Sequence, residues 1–257
     1  MADETEPVVC GVADGVATLE LNRPAAGNAL DLEVGQALEA ALDEVGPDPA
    51  VRCVLLLGRG PMFCGGGDVA SMAAAPDRRR FVRELADAAH RVVTRLDALD
   101  RPVVAGVQGA AAGAGLALTL SADVVVAGES ARLLTAYAGI GLTPDCGTSW
   151  LLPRTVGLRR ALDLALTGRV LTAREALDWG LVSRVCADDA VRADATALAQ
   201  ALAAGPATAL GRTRRLLRDG YARSLPEQLD AEADTISRTS EGEEAAALIE
   251  AFLTRRR

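Results

Sequence analysis

Two glycine-rich segments hold the residues best suited to chemistry in this chain of 257 residues: Gly65-Gly66-Gly67 and Gly113-Ala114-Gly115. Each follows a mainly apolar run, residues 51–57 and 103–107, that reads as a buried strand. Small residues let the backbone approach a ligand closely, and the start of a following helix presents unpaired N–H groups at the positive end of its dipole. Two such N–H groups aimed at one oxygen would form an oxyanion hole. Either segment alone reads equally well as a tight turn beneath close helix–sheet packing. A dinucleotide-binding turn is a third reading of Gly113-Ala114-Gly115-Leu116-Ala117-Leu118. It fails at Leu118, where a small residue is needed, and no clear acidic strand end follows.

Composition narrows the field. The 27 basic residues are all arginine, which excludes Schiff-base chemistry and a lysine-bearing phosphate loop. A net charge of −8, with no basic stripe carrying aromatics, excludes general nucleic-acid binding. Arg78-Arg79-Arg80 reads as a solvated helix start and Arg255-Arg256-Arg257 as an exposed tail. Cys10, Cys53, Cys64, Cys146 and Cys186 are scattered and odd in number, without a C-x-x-C; they suit reduced thiols in a cytoplasm, and no metal site is expected. The acidic start Met1-Ala2-Asp3-Glu4 leads into no apolar signal core. The most apolar stretch, 103–128, is broken by Gln108, Ser121 and Asp123, so it reads as a buried strand–helix–strand and not a membrane span.

The elements that must position the glycine segments alternate in type. Residues 8–12 and 16–21 read as strands around the turn Asp14-Gly15. Asp31 caps a helix running to about Val45, and a second helix from about Asp77 to Leu99 carries Phe81, Leu85, Ala88, Ala89, Val92 and Leu96 on one face. Pro102 ends that helix and opens the strand 103–107. Residues 109–115 are expected to lead directly into a helix, followed by a strand at 123–126; from Thr172 on, the pattern is almost wholly helical. The class is α/β with a helical C-terminal segment.

The order of motifs resembles the crotonase superfamily, the enoyl-CoA hydratase/isomerase family, over nearly the whole chain. Asn22-Arg23-Pro24 with Asn28-Ala29-Leu30 is similar to its N-terminal coenzyme A-binding turn, and Phe63-Cys64-Gly65-Gly66-Gly67-Asp68 to its first oxyanion loop. Arg101-Pro102-Val103-Val104-Ala105 with Gln108-Gly109-Ala110-Ala111-Ala112-Gly113-Ala114-Gly115 is similar to the second oxyanion segment. Ala122-Asp123, the stretch from Gly139 to Asp145, and Leu166-Thr167-Gly168 with Trp179-Gly180-Leu181-Val182 also match.

The resemblance implies a ββα-spiral core over 1–200 and a helical trimerisation region over 201–257, assembled as a homotrimer or hexamer. It implies an acyl-CoA thioester as substrate, with coenzyme A carried on the substrate and no separate cofactor. The oxyanion donors would be the N–H groups of Gly67 and Ala114. Arg23 would lie near the coenzyme A phosphates or adenine, with Ala25, Gly65, Gly66, Asp68, Gly113, Ala117 and Gly141 around the ligand. Hydratases place two glutamates across the thioester; the matching positions here are Ala117 and Tyr137, so two-glutamate hydration is not expected. Asp145 stands where one branch, with phenylacetyl-CoA-type isomerases and 4-chlorobenzoyl-CoA dehalogenase, carries a catalytic aspartate. Its structural alternative is the N-cap of a helix beginning near Cys146-Gly147-Thr148. His90, the one histidine, falls where the dehalogenase branch has a functional histidine, or is an ordinary helix residue. Ala117 is expected to leave room for a bulky acyl group. Double-bond isomerisation through Asp145, with Tyr137 assisting, is the expected chemistry; the alternatives are a non-catalytic acyl-CoA-binding protein and a hydratase of non-standard mechanism.

Overall fold

A computed structural model describes residues 6–255. The acidic start Met1–Glu4 and the tail residues Arg256 and Arg257 lie outside the described residues; Arg78-Arg79-Arg80 are exposed, as expected. The chain opens with a hairpin of β1 (Val8–Ala13) and β2 (Val16–Leu21). Its two-residue turn has φ +51° at Asp14 and +76° at Gly15, the paired left-handed backbone that matches strand twist. Then follow α1 (Leu32–Val45), β3 (Cys53–Gly58), α2 (Val69–Ala74) and α3 (Arg78–Ala98). Asp31 accepts the Val34 N–H at 2.9 Å and Asp77 the Arg80 N–H at 3.0 Å, so local capping fixes both helix starts.

Next come β4 (Val103–Val107), β5 (Ala110–Ala112), α4 (Ala114–Ser121), β6 (Val124–Gly128) and β7 (Arg132–Leu134). They lead to α5 (Thr148–Val156), α6 (Leu158–Thr167), β8 (Leu171–Thr172), α7 (Ala173–Asp178) and β9 (Arg184–Cys186). The chain closes with α8 (Val191–Ala203), α9 (Ala207–Asp219), α10 (Leu225–Ser240) and α11 (Glu243–Thr254).

The main sheet has the order β1-β2-β3-β4-β6-β9, parallel except at the hairpin. Its central strands are apolar throughout because both faces are covered. Val54, Leu56, Val103 and Ala105 face the cluster built with α1, α3 and α4. Cys53, Leu55, Leu57 and Val104 face Ala195, Ala199 and Ala203 of α8. Each pass of the chain also lends a short extended segment to a second layer: Leu30 bridges Gly67, Cys64 bridges Ala111, and β5, β7 and β8 form a sheet. This is a ββα spiral.

Three expectations are corrected. Residues 109–115 do not lead straight into a helix, because β5 intervenes. The segment after Thr172 is not all helical, because Arg184–Cys186 pairs with β6 as the last strand of the main sheet. The boundary at residue 200 falls inside α8, whose alanines close the sheet's second face. The helices beyond that core begin at Ala207. Arg214 of α9 anchors them: its guanidinium bonds Asp123 and the carbonyls of Leu96, Asp97 and Leu99 at the end of α3. Among the described residues no helix is long and apolar enough to cross a membrane.

Candidate active site

The first glycine loop is laced to its neighbours by backbone hydrogen bonds. Cys64 N–H donates to Ala110 O (3.1 Å), Gly65 N–H to Gly27 O (2.8 Å) and Asp68 N–H to Leu30 O (2.8 Å), while Leu30 N–H donates to Gly66 O (2.7 Å). Gly66 N–H is drawn to the Cys64 thiol, which burial pushes up to about 12. Among the described residues Gly67 N–H has no acceptor, and neither does Ala114 N–H at the first turn of α4. The two loops touch. A Cβ on Gly66 would stand 3.1 Å from Ala112 O, and one on Gly115 only 2.2 Å from Cys64 O. Glycine at these positions is therefore required by close approach of backbone to backbone.

Gly65, Gly66, Gly67, Gly113 and Ala114 line one cavity of about 260 Å³ together with Tyr137 and Asp145. Its far wall is apolar: Val69 and Met72 of α2, Val82 and Leu85 of α3, and Ile140 and Leu142 from the loop before α5. Asp145 is the one carboxylate among the described residues lining it. Tyr137 donates its hydroxyl proton to Asp145 Oδ1 at 2.7 Å. Burial first, and then the neighbouring Cys146 and Asp145, push the phenol far above its ordinary value, so Tyr137 stays a neutral donor. The Cys146 thiol beside them is likewise raised, chiefly by burial.

Asp145 does not cap α5. The residue preceding that helix is Gly147, with no side-chain cap, and Thr148 N–H donates to the backbone carbonyl of Asp145 at 2.9 Å. The carboxylate is left to the cavity. Residues on either side of the Tyr137–Asp145 pair hold left-handed backbone without being glycine: Ala136 at φ +62° and Cys146 at φ +51°.

Other expected site residues are placed differently. His90 is exposed on α3, outside the cavity lining, and its Nε2 accepts the Cys146 N–H at 3.2 Å. Ala117 is wholly buried in the main core and does not line the cavity, because α4 turns it inward; it does not create room for the acyl group. The Arg23 guanidinium is committed to Ala29 O (2.8 Å), Asp31 (3.0 Å) and Asp68 (3.3 Å), so its charge is already matched by two carboxylates. Asp68 also caps α2 through the Ser71 N–H, and that bond, ahead of Arg23, lowers its pKa. Ala25 lies in an exposed turn at Pro24–Ala26. Gly141 ends the turn that presents Ile140 and Leu142 and is not itself in the lining.

The sequence reading missed the apolar wall, since Val82, Leu85 and Ala89 on α3 have the same helical spacing as core residues. A larger cleft of about 720 Å³ lies between α5 and α9; there Asp123 is paired with Arg214 and Arg218, and Arg154 bonds Trp150 O and stacks on the Trp150 ring. Unpaired donors and a carboxylate share the smaller cavity, which makes it the candidate site.

Residues 11–257 match the family model described as enoyl-CoA hydratase/isomerase. The 1,2-epoxyphenylacetyl-CoA isomerase of Escherichia coli (strain K12) is 37% identical over 256 residues, 98% of this chain and 97% of that protein. A 4-chlorobenzoyl coenzyme A dehalogenase-2 from Arthrobacter sp is 32% identical over 225 residues, covering 87% of this chain and 82% of the relative. The crystal structure of an enoyl-CoA hydratase from Bacillus anthracis superimposes with a TM-score of 0.92 at 27% identity, covering 97% of this chain and 96% of that one. The spiral fold, the paired glycine loops and these likenesses agree: the chain belongs to the enoyl-CoA hydratase/isomerase family and is an acyl-CoA enzyme of the crotonase type.

Proposed function

We propose that this enzyme moves the double bond of an enoyl-CoA thioester, with Asp145 as the proton shuttle. One observation carries the reading: the Asp145 carboxylate, held by Tyr137, faces the same cavity as the unpaired N–H groups of Gly67 and Ala114. A thioester oxygen between those donors gains charge as Asp145 takes a proton from C2 of a 3-enoyl chain, giving a dienolate. The same carboxyl then returns the proton to C4, leaving the 2-enoyl thioester. Tyr137, kept neutral, holds Asp145 in place and contributes no proton. Two-carboxylate hydration finds no second carboxylate in the lining.

A dry apolar cavity of about 150 Å³ admits benzene. At about 260 Å³, largely walled by aliphatic side chains, this one suits a six-membered ring or a chain of similar bulk. The isomerase relative named for a phenylacetyl-CoA epoxide supports that range. Coenzyme A arrives on the substrate and no separate cofactor is needed. Assembly as a trimer or hexamer is supported by α10 and α11, which bury no residue and expose Leu229, Ile236, Leu248 and Ile249. Five unpaired cysteines fit a cytoplasmic setting.

The test is turnover of 3-enoyl-CoA thioesters, followed by the absorbance of the conjugated product. Asp145→Asn should lower kcat by about 10²- to 10⁴-fold with little change in KM. Unchanged turnover would remove Asp145 from the mechanism. Binding without turnover in the wild-type protein would favour the non-catalytic alternative.

A further inference from the structure

We propose that His90 is a positioning residue for Asp145, acting through the peptide that joins Asp145 to Cys146; this rests on the role of Asp145 given above. That peptide is tied at both of its polar groups. Its carbonyl accepts the Thr148 N–H at 2.9 Å, and its N–H donates to His90 Nε2 at 3.2 Å. The Asp145 carboxylate is tied at a third point by the Tyr137 hydroxyl. Three bonds in different directions fix both the backbone and the side chain of one residue.

The N–H concerned needs its acceptor. Cys146 is 3% exposed and holds φ +51°, a backbone that disfavours a side chain and persists where the surroundings impose it. The imposing element is α3. Ala89 lines the cavity, His90 receives the peptide, and Val93 one turn on stands against Gly147, 3.5 Å from where a Cβ would be. A helix of 21 residues that forms the apolar wall thus also sets the height of the carboxylate above it.

The bond specifies a chemical state of the ring. Nε2 accepts only in neutral imidazole with its proton on Nδ1; the doubly protonated ring has donors alone and would repel the Cys146 N–H.

The test compares His90→Ala and His90→Gln with the wild-type enzyme and Asp145→Asn, measuring kcat and KM on a 3-enoyl-CoA substrate. Glutamine places a non-titrating acceptor near the Nε2 position. His90→Ala should lose about 10- to 100-fold in kcat at nearly constant KM, the cost of a misplaced reacting group. His90→Gln should recover most of the loss. Wild-type kcat in His90→Ala beside a dead Asp145→Asn would overturn the positioning role alone. So would a His90→Gln enzyme as slow as His90→Ala. Full activity in Asp145→Asn would instead overturn the function on which the proposal rests. If His90→Ala does not fold, the glutamine enzyme decides the matter through its kcat at constant KM.

Discussion

Replacing Arg214 by methionine tests the anchor between the C-terminal helices and the core, and the structure sets the size of the effect. The Arg214 side chain is 4% exposed. It donates to Asp123 at 2.6 Å and to the carbonyls of Leu96 (2.7 Å), Asp97 (2.9 Å) and Leu99 (2.5 Å). Methionine fills the space but supplies none of these bonds. Asp123 keeps Arg218 at 2.8 Å and the Val103 N–H at 2.8 Å, and Asp97 O keeps Arg215 at 2.9 Å. Two carbonyls, those of Leu96 and Leu99, are left without a donor, each costing about 1–3 kcal/mol. Relief of the buried guanidinium's own desolvation, which lowers the Arg214 pKa, returns part of this. The expected loss is about 3 kcal/mol, or a fall of roughly 6–12 °C in Tm for a chain of this size. Urea unfolding followed by circular dichroism, at two protein concentrations so that assembly is separated from folding, measures it. A change within about 0.5 kcal/mol, the range of an ordinary surface substitution, would refute the reasoning.

Two further outcomes follow from the site's geometry. Gly115→Ala puts a methyl 2.2 Å from Cys64 O, so the first glycine loop must shift away from Ala114. Stability should fall by about 1–3 kcal/mol and turnover by at least tenfold, and wild-type values for both would contradict the close approach. In Tyr221→Phe, Tyr137 is the remaining phenol, and burial holds its pKa far above the free value of about 10. The folded variant should show no phenolate absorbance at about pH 11, and the signal should appear on unfolding. Because the native state keeps a proton that the unfolded chain gives up, this group's stabilisation is whole below about pH 10 and declines as pH rises beyond it. Phenolate absorbance near pH 10 in the folded protein would contradict the burial.

What the sequence made legible was local. The cap at Asp31, the helix start near Asp77 and the Asp14-Gly15 turn each depend on neighbours within a few positions, and each stands where expected. The glycine loops were legible because close backbone approach admits few other residues. β5 and β9 were not: three residues each, they owe their pairing to distant strands and show no period of their own. The cavity wall on α3 was hidden for another reason. Helical spacing tells which face is apolar, but not whether that face meets side chains or a void. Arg23 looked like a free cation because Asp68, one of the two carboxylates that occupy it, lies 45 positions away.

Asp145 shows where local and global demands conflict. A local reading makes it the cap of α5, an arrangement that contributes about 0.5–2 kcal/mol wherever a suitable side chain takes it. The fold leaves that contribution unmade: α5 begins after Gly147 without a side-chain cap, while the nearest carboxylate turns to the cavity. Cys146 and Ala136 add left-handed backbone on either side of the pair, each at a cost of order 1 kcal/mol. Bonds to Tyr137, Thr148 and His90 hold this arrangement against its local preferences. Stability withheld from one helix end, at the one lining carboxylate, is what a site shaped by its chemistry would show and what packing alone does not require.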